Sequence, residues 1–200
     1  MRRKELRENS LRPNPWKRRV LARLGRAGEK AACLNILIVL SLGSGGSTLF
    51  AQVVGDEAEM QRLQNRAEEA IANGDADGAA MHSGKAALMA GQLAKRNQGD
   101  PALGRFYRGA ESLFRSQEHG YRALALYQRA GGLPPASSGV CSTMQLAGQS
   151  INQAMDLLEP DRAGSSVLDQ RHAAESKNLL SQAQGWVKTI EGMEEDFQCP

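Results

Sequence analysis

The chain has 200 residues, with 25 Lys and Arg against 22 Asp and Glu, a formal charge of +3. Eleven of the basic residues but only three of the acidic ones fall in residues 1–33, so residues 52–200 carry 14 basic and 19 acidic groups, a net of −5. The basic excess therefore belongs to the N-terminal stretch, and the remainder gives no electrostatic ground for nucleic-acid binding.

The first 51 residues read as a leader. A basic region is followed by the short apolar run LNILIVLSL at 34–42 and then by GSGGSTLFAQ, with small residues before a cut near Ala51. That order is the pattern of a secretory signal. The run is shorter than the roughly 20 apolar residues of a membrane span, so membrane contact is expected only through an uncleaved leader. Two explanations of the long basic region stay open: a true start downstream, for example at Val20, or a twin-arginine address at KRRVLAR, 17–23. Cys33 precedes the apolar run and is not placed for lipidation after cleavage.

After the leader, about 150 residues suffice for one domain with a core. Val and Ile are scarce and Ala, Leu and Met recur with helical period, so the fold class is all α. A first helix is expected from Glu57 to Ala72, with Asp56 and Glu59 as a capping pair, and a second from Ala76 to Arg96 after the breaker Asn73-Gly74-Asp75. Asp100 and Pro101 mark the start of the next helix, whose apolar stripe is Leu103, Phe106, Tyr107, Ala110, Leu113, Phe114 and Gln117. A reversal is expected at Glu118–Gly120, then a fourth helix with Ala123, Leu124, Leu126, Tyr127 and Ala130 inward, stopped by Gly131, Gly132, Pro134 and Pro135. Two more helices follow, from about Cys141 to Leu158 and from about Ser165 to Glu194. The first has Met144, Ile151, Met155 and Leu158 inward; the second buries Leu168, His172, Leu179, Ala183, Trp186, Val187, Ile190 and Met193.

The order Tyr107, Ala110, Phe114, then Ala123, Tyr127, Ala130 and Pro135 resembles a tetratricopeptide repeat, with Glu111 standing where that family prefers a small residue. Leu63, Ala67, Ala70, Gly74, Ala79 and Ala86 form a weaker copy, offset by 44 residues where the family uses 34, and Ser83 occupies its aromatic slot. The resemblance implies two helical hairpins over 52–135 and a C-terminal hairpin or cap over 136–200. It also implies a concave groove that takes a peptide or another protein. On that scheme Arg105, Arg108, Ser112 and Arg115, at i, i+3, i+7 and i+10, line the groove together with Gln61, Gln64 and Glu68 of the first hairpin. Arginine forks suit carboxylates, so an acidic partner is expected. The plainer alternative is a solvated face whose arginines pair with Glu111 or Glu118.

Two of the three cysteines, Cys141 and Cys199, follow the leader, and an even pair in an exported chain suggests a disulfide. His82, His119 and His172 stand at no metal-ligand spacing, and neither a C-x-x-C-H haem site nor a G-x-S-x-G nucleophile occurs. No cofactor, metal or catalytic residue is therefore expected. The expected function is an exported, non-enzymatic helical scaffold in the cell envelope. The alternatives are a structural subunit of an envelope complex and an exported enzyme without a recognisable motif. N-terminal sequencing of the mature protein should return a start near Gln52. Recovery of residues 1–60 intact in a membrane-embedded protein would overturn this.

Overall fold

The computed structural model describes residues 48–159 and 168–200, which form five helices: α1 (Thr48–Ala72), α2 (Ala76–Arg96), α3 (Pro101–Arg129), α4 (Ser138–Leu158) and α5 (Gln170–Phe197). All regular structure among the described residues is helical. Residues 1–47, which hold most of the expected leader, and 160–167, which hold the expected start of the last helix, lie outside the described residues.

Local chemistry sets most of the helix ends. Asp75 accepts the Gly78 amide to open α2, and Asp100 accepts the amides of Ala102 and Leu103 with Pro101 in the first turn of α3. Ser137 accepts the Val140 amide at α4, and Asp169 accepts the His172 amide at α5. Gly131 and Gly132 take φ of 93° and 66° after α3, a left-handed region that few other residues enter without strain. Two boundaries differ from the sequence expectation at the start of a helix. α1 begins at Thr48 rather than Glu57, and Asp56 pairs with Arg96 of α2 instead of capping. α5 begins at Gln170, after Leu168 and Asp169.

The larger correction is in the middle. Residues 101–129 are one unbroken helix, with no reversal at Glu118–Gly120. The expected pair of hairpins over 52–135 is instead three successive helices. Gly120 serves a different purpose: a Cβ built there would lie 2.7 Å from Cζ2 of Trp186. Its missing side chain makes room for an indole and does not make a turn.

α3 is the central element. α2 packs along one side of it and α4 along the other, while α1 packs on α2 and α5 packs on α4 and α3. On α2 the face toward α3 is a ridge of small residues, Ala80, Gly84, Ala87, Gly91 and Ala94, spaced at i, i+4, i+7, i+11 and i+14. On α4, Leu158 sits against Gly109, where an added Cβ would be 2.7 Å from Cγ of Leu158. α1 and α5 lean together over a third face of α3, where Phe106 meets His172 and Tyr121 meets Trp186 edge-on at 5.6 and 5.1 Å. The fourth face carries exposed Arg108 and half-buried Arg115, with Glu111 turned to the α2 seam and Ser112 buried beside them.

The C-terminus is tied back to the α3–α4 connection. Cys141 and Cys199 are joined by a disulfide across 58 residues of sequence. Phe197 is fully buried against Tyr127, with ring centroids 4.3 Å apart, and its carbonyl accepts the amide of Ala136 at 2.8 Å.

The glycine contacts separate two effects that sequence propensity lumps together. Gly148→Ala, where nothing lies within 4 Å, should gain up to about 1 kcal/mol from helix propensity. Gly120→Ala meets the buried indole and should lose about 1–3 kcal/mol from overpacking, less that same gain. Urea denaturation midpoints should therefore move in opposite directions. Equal shifts would show that Trp186 does not pack on Gly120.

Candidate functional site

The open face of α3 is a charged ladder: Arg108, Glu111, Arg115, Glu118 and Arg122 recur at i, i+3, i+7, i+10 and i+14. Acidic side chains at such positions would normally collide with a neighbouring helix packed this closely. Here α2 makes room. A Cβ on Gly91 would lie 2.9 Å from the Glu111 carboxylate, and one on Gly84 would lie 3.0 Å from that of Glu118. Glycines on α2 thus lay the two carboxylates flat along the α2–α3 seam. Glu118 is then gripped from both sides, by Arg115 at 2.9 Å and Arg122 at 2.6 Å.

On the α4 side the ladder borders a shallow hollow of about 230 Å³, lined by Arg108, Glu111, Ser112, Arg115, Ser150 and Gln153. The rims are partly apolar. Leu88 lies between Gly84 and Gly91 along α2 and is 56% exposed; Leu146 lies one turn before Ser150 on α4 and is 47% exposed.

The expected site residues divide. Arg108, Ser112 and Arg115 come together in this hollow. Arg105 does not. Its guanidinium turns to the end of α4, donating to the carbonyls of Leu157 at 2.8 Å and Asp156 at 2.6 Å, and so caps orphan acceptors of that helix. Gln61, Gln64 and Glu68 are also elsewhere. Gln64 is buried and donates to Gln182 of α5 at 2.8 Å and to Glu68, while Gln61 bonds Asn65 along α1. The equivalence of α1 and α3 expected from the repeat does not hold, because α1 lies over the face of α3 opposite the ladder.

A second cluster was not foreseen. Glu57 of α1, 8% exposed, accepts the hydroxyl of Tyr107 on α3 and pairs with Arg171 and His172 of α5. His172 contacts Asp169 through Nδ1 and Glu57 through Nε2, the latter at 3.1 Å. Burial favours protonation of Glu57, yet the Tyr107 and His172 bonds and the field of Arg171 outweigh it and hold its pKa below the usual carboxylate value. Burial likewise opposes charge on His172, but its bonds to Asp169 and Glu57 raise its pKa above that of a free imidazole. Burial, then the neighbouring Glu57, push the Tyr107 phenol far up, so it stays a hydrogen-bond donor. The Asp169-x-x-His172 spacing was visible in the sequence; Glu57, 115 residues away, was not.

Among the described residues no three His, Cys, Asp or Glu side chains are grouped to hold a metal, and no helix is long and apolar enough to cross a membrane. No protein-family profile, curated protein or solved structure matches the chain.

Arg105 and Arg108 are one turn apart and chemically identical, but only the first has structural partners. Arg105→Ala should cost about 1–3 kcal/mol by leaving the α4 carbonyls without a charged donor. Arg108→Ala should stay within about 0.5 kcal/mol of the parent. Thermal unfolding of the two variants checks the contrast, and similar losses for both would contradict it.

Proposed function

We propose that the protein is an exported, non-enzymatic helical module that binds an acidic segment of a partner protein in the groove floored by α3 and rimmed by α2 and α4. The observation that carries this is the convergence of Arg108, Ser112 and Arg115 with Ser150 and Gln153 in one hollow. Such a surface offers a polar hollow whose arginine forks and hydroxyl and amide donors match a carboxylate.

Export is supported by the leader pattern in residues 1–51 and by the pairing of Cys141 with Cys199, which suits an oxidising compartment. The absence of a catalytic role is proposed from the chemistry of the groove. Its titratable groups are arginines and carboxylates paired along a helix, with no nucleophile facing a base.

The floor charges are only slightly in excess of positive, because Glu118 occupies Arg115 and Arg122. Arg108 is then the principal fork for an incoming carboxylate, with Arg115 as the second. Fluorescence anisotropy with acidic, neutral and basic extended peptides should show preferential binding of the acidic ones, weakening as salt rises. The Arg108→Gln/Arg115→Gln double variant should lose that preference with unchanged helix content. Equal binding by parent and double variant at low salt, or no binding of acidic peptides by the parent, would refute the assignment.

A further inference from the structure

The cluster around His172 lies away from the groove and is built in a way that an ordinary helix contact does not require. α1 and α5 are joined over α3 by polar pairs: Glu57 with Arg171 and His172, and Gln64 with Gln182. Within that contact the imidazole is wedged between two carboxylates, Nδ1 at 2.5 Å from Asp169 and Nε2 at 3.1 Å from Glu57. Ionised carboxylates only accept hydrogen bonds, and a neutral imidazole has a single N–H. Both contacts can be hydrogen bonds only when both ring nitrogens carry protons. The neutral ring would aim a lone pair at one carboxylate, in a site where the side chain is only 11% exposed and water is a poor substitute.

We propose that Glu57, Tyr107, Asp169 and His172 form a pH-sensitive clasp that fastens the start of α5 to α1 and α3 while His172 is an imidazolium and loosens when it is neutral. Other charged groups around the ring modulate the clasp without replacing it. Arg171 and Glu175 come from α5 itself, Asp56 beside Glu57 is engaged by Arg96 of α2, and Arg105 of α3 is committed to α4. Arg171 and Tyr107 keep Glu57 occupied when His172 discharges, so loosening is confined to the His172 contacts and the first turn of α5. The rings of Phe106 and Tyr107, which His172 covers edge-on, would then gain access to solvent.

The pH window follows from the two shifts. His172 is raised in the folded state, so its contribution is complete below the unfolded value and is lost as pH rises through the folded one. Glu57 is lowered, so its contribution is present above its unfolded value and is lost as pH falls through the folded one. The clasp is strongest between the two unfolded values, in mildly acidic solution, and weakens from there toward each folded value.

The test uses the full chain and a pH titration of its three histidines by NMR, with His82 and His119 as internal references. His172 should titrate above about 6.5, the ordinary value, and its midpoint should fall in Asp169→Asn. Amide exchange in the first turn of α5, corrected for intrinsic pH dependence, should accelerate as pH rises from the unfolded value to the folded midpoint and level off above it. The expected gain is roughly tenfold for each pH unit by which the folded midpoint exceeds the unfolded one. His172→Gln should show no such step. A midpoint at or below the ordinary value in the parent chain would overturn the proposal even if the variant failed to fold, and so would a step that persists in His172→Gln.

Discussion

The packing of this domain depends on one buried junction. Trp186 of α5 carries an indole N–H that can only donate, and inside a core it must find an acceptor. Ser116 of α3 supplies it at 3.0 Å, and the same hydroxyl donates to the Ala147 carbonyl of α4 at 2.8 Å. One fully buried serine thus joins three helices. The indole can reach it only because Gly120, four residues further along α3, has no side chain. Loss of the hydroxyl would leave a buried donor unpaired, a penalty of about 1–3 kcal/mol. The geometry also fixes the rotation of α3 about its axis, because Ser116 and Gly120 must both face the α4–α5 side.

That rotation determines everything presented on the other sides. With Ser116 and Gly109 turned to α4, helical spacing carries Glu111 and Glu118 to the α2 seam and Arg108 and Arg115 to the open face. Carboxylates at a close helix seam are tolerated because the α2 ridge is built of Ala and Gly, which keeps the helices near while leaving space at Gly84 and Gly91. Glu118 is only 8% exposed, yet two guanidinium groups at 2.9 and 2.6 Å satisfy it, so its burial does not strand a charge. Glu118 is thus set by the packing of α2 against α3, and through it Arg115 and Arg122 are positioned.

What the sequence made legible follows the range of the physics involved. The limits of α2, the start of α3 and the end of α4 depend on caps and breakers within a few residues, and they fall where local chemistry put them. The Cys141–Cys199 bond was readable from parity alone. Gly120 was misread because a glycine on an amphipathic helix serves equally as a hinge or as a contact, and only the distant Trp186 distinguishes the two. The repeat-like order of aromatics misled in the same place, since Phe114 and Tyr127 are buried whether they lie on one helix or two. Of the arginine stripe, Arg108 and Arg115 kept their expected company, while Arg105 was claimed by carbonyls more than fifty residues downstream. Glu57 and His172 gave no joint signal, because their contact exists only once α1 and α5 cross over α3.

The ties that close the domain act on different faces and at different strengths. The disulfide, with Phe197 seated on Tyr127, secures the end of α5 to the first turn of α4 covalently and without regard to pH. In the chain-entropy view a loop of that length removes about 4 kcal/mol of freedom from the unfolded chain. The start of α5 has no such bond and is held to Glu57 of α1 by Arg171 and His172, with Asp169 bonding His172 from within the same turn. One helix is therefore anchored covalently near its C-terminal end and, near its N-terminal end, by ionic contacts of which only those of His172 yield to pH, so its first turn alone can hinge. The groove lies across α3 from that hinge, between the α2–α3 and α3–α4 seams that carry most of the helix packing. Movement of the α5 start has no rigid path to Arg108 except through α3 itself, which Ser116 and its partners hold in place. The proposed carboxylate binding in the groove and the proposed proton response of the clasp should thus show little coupling.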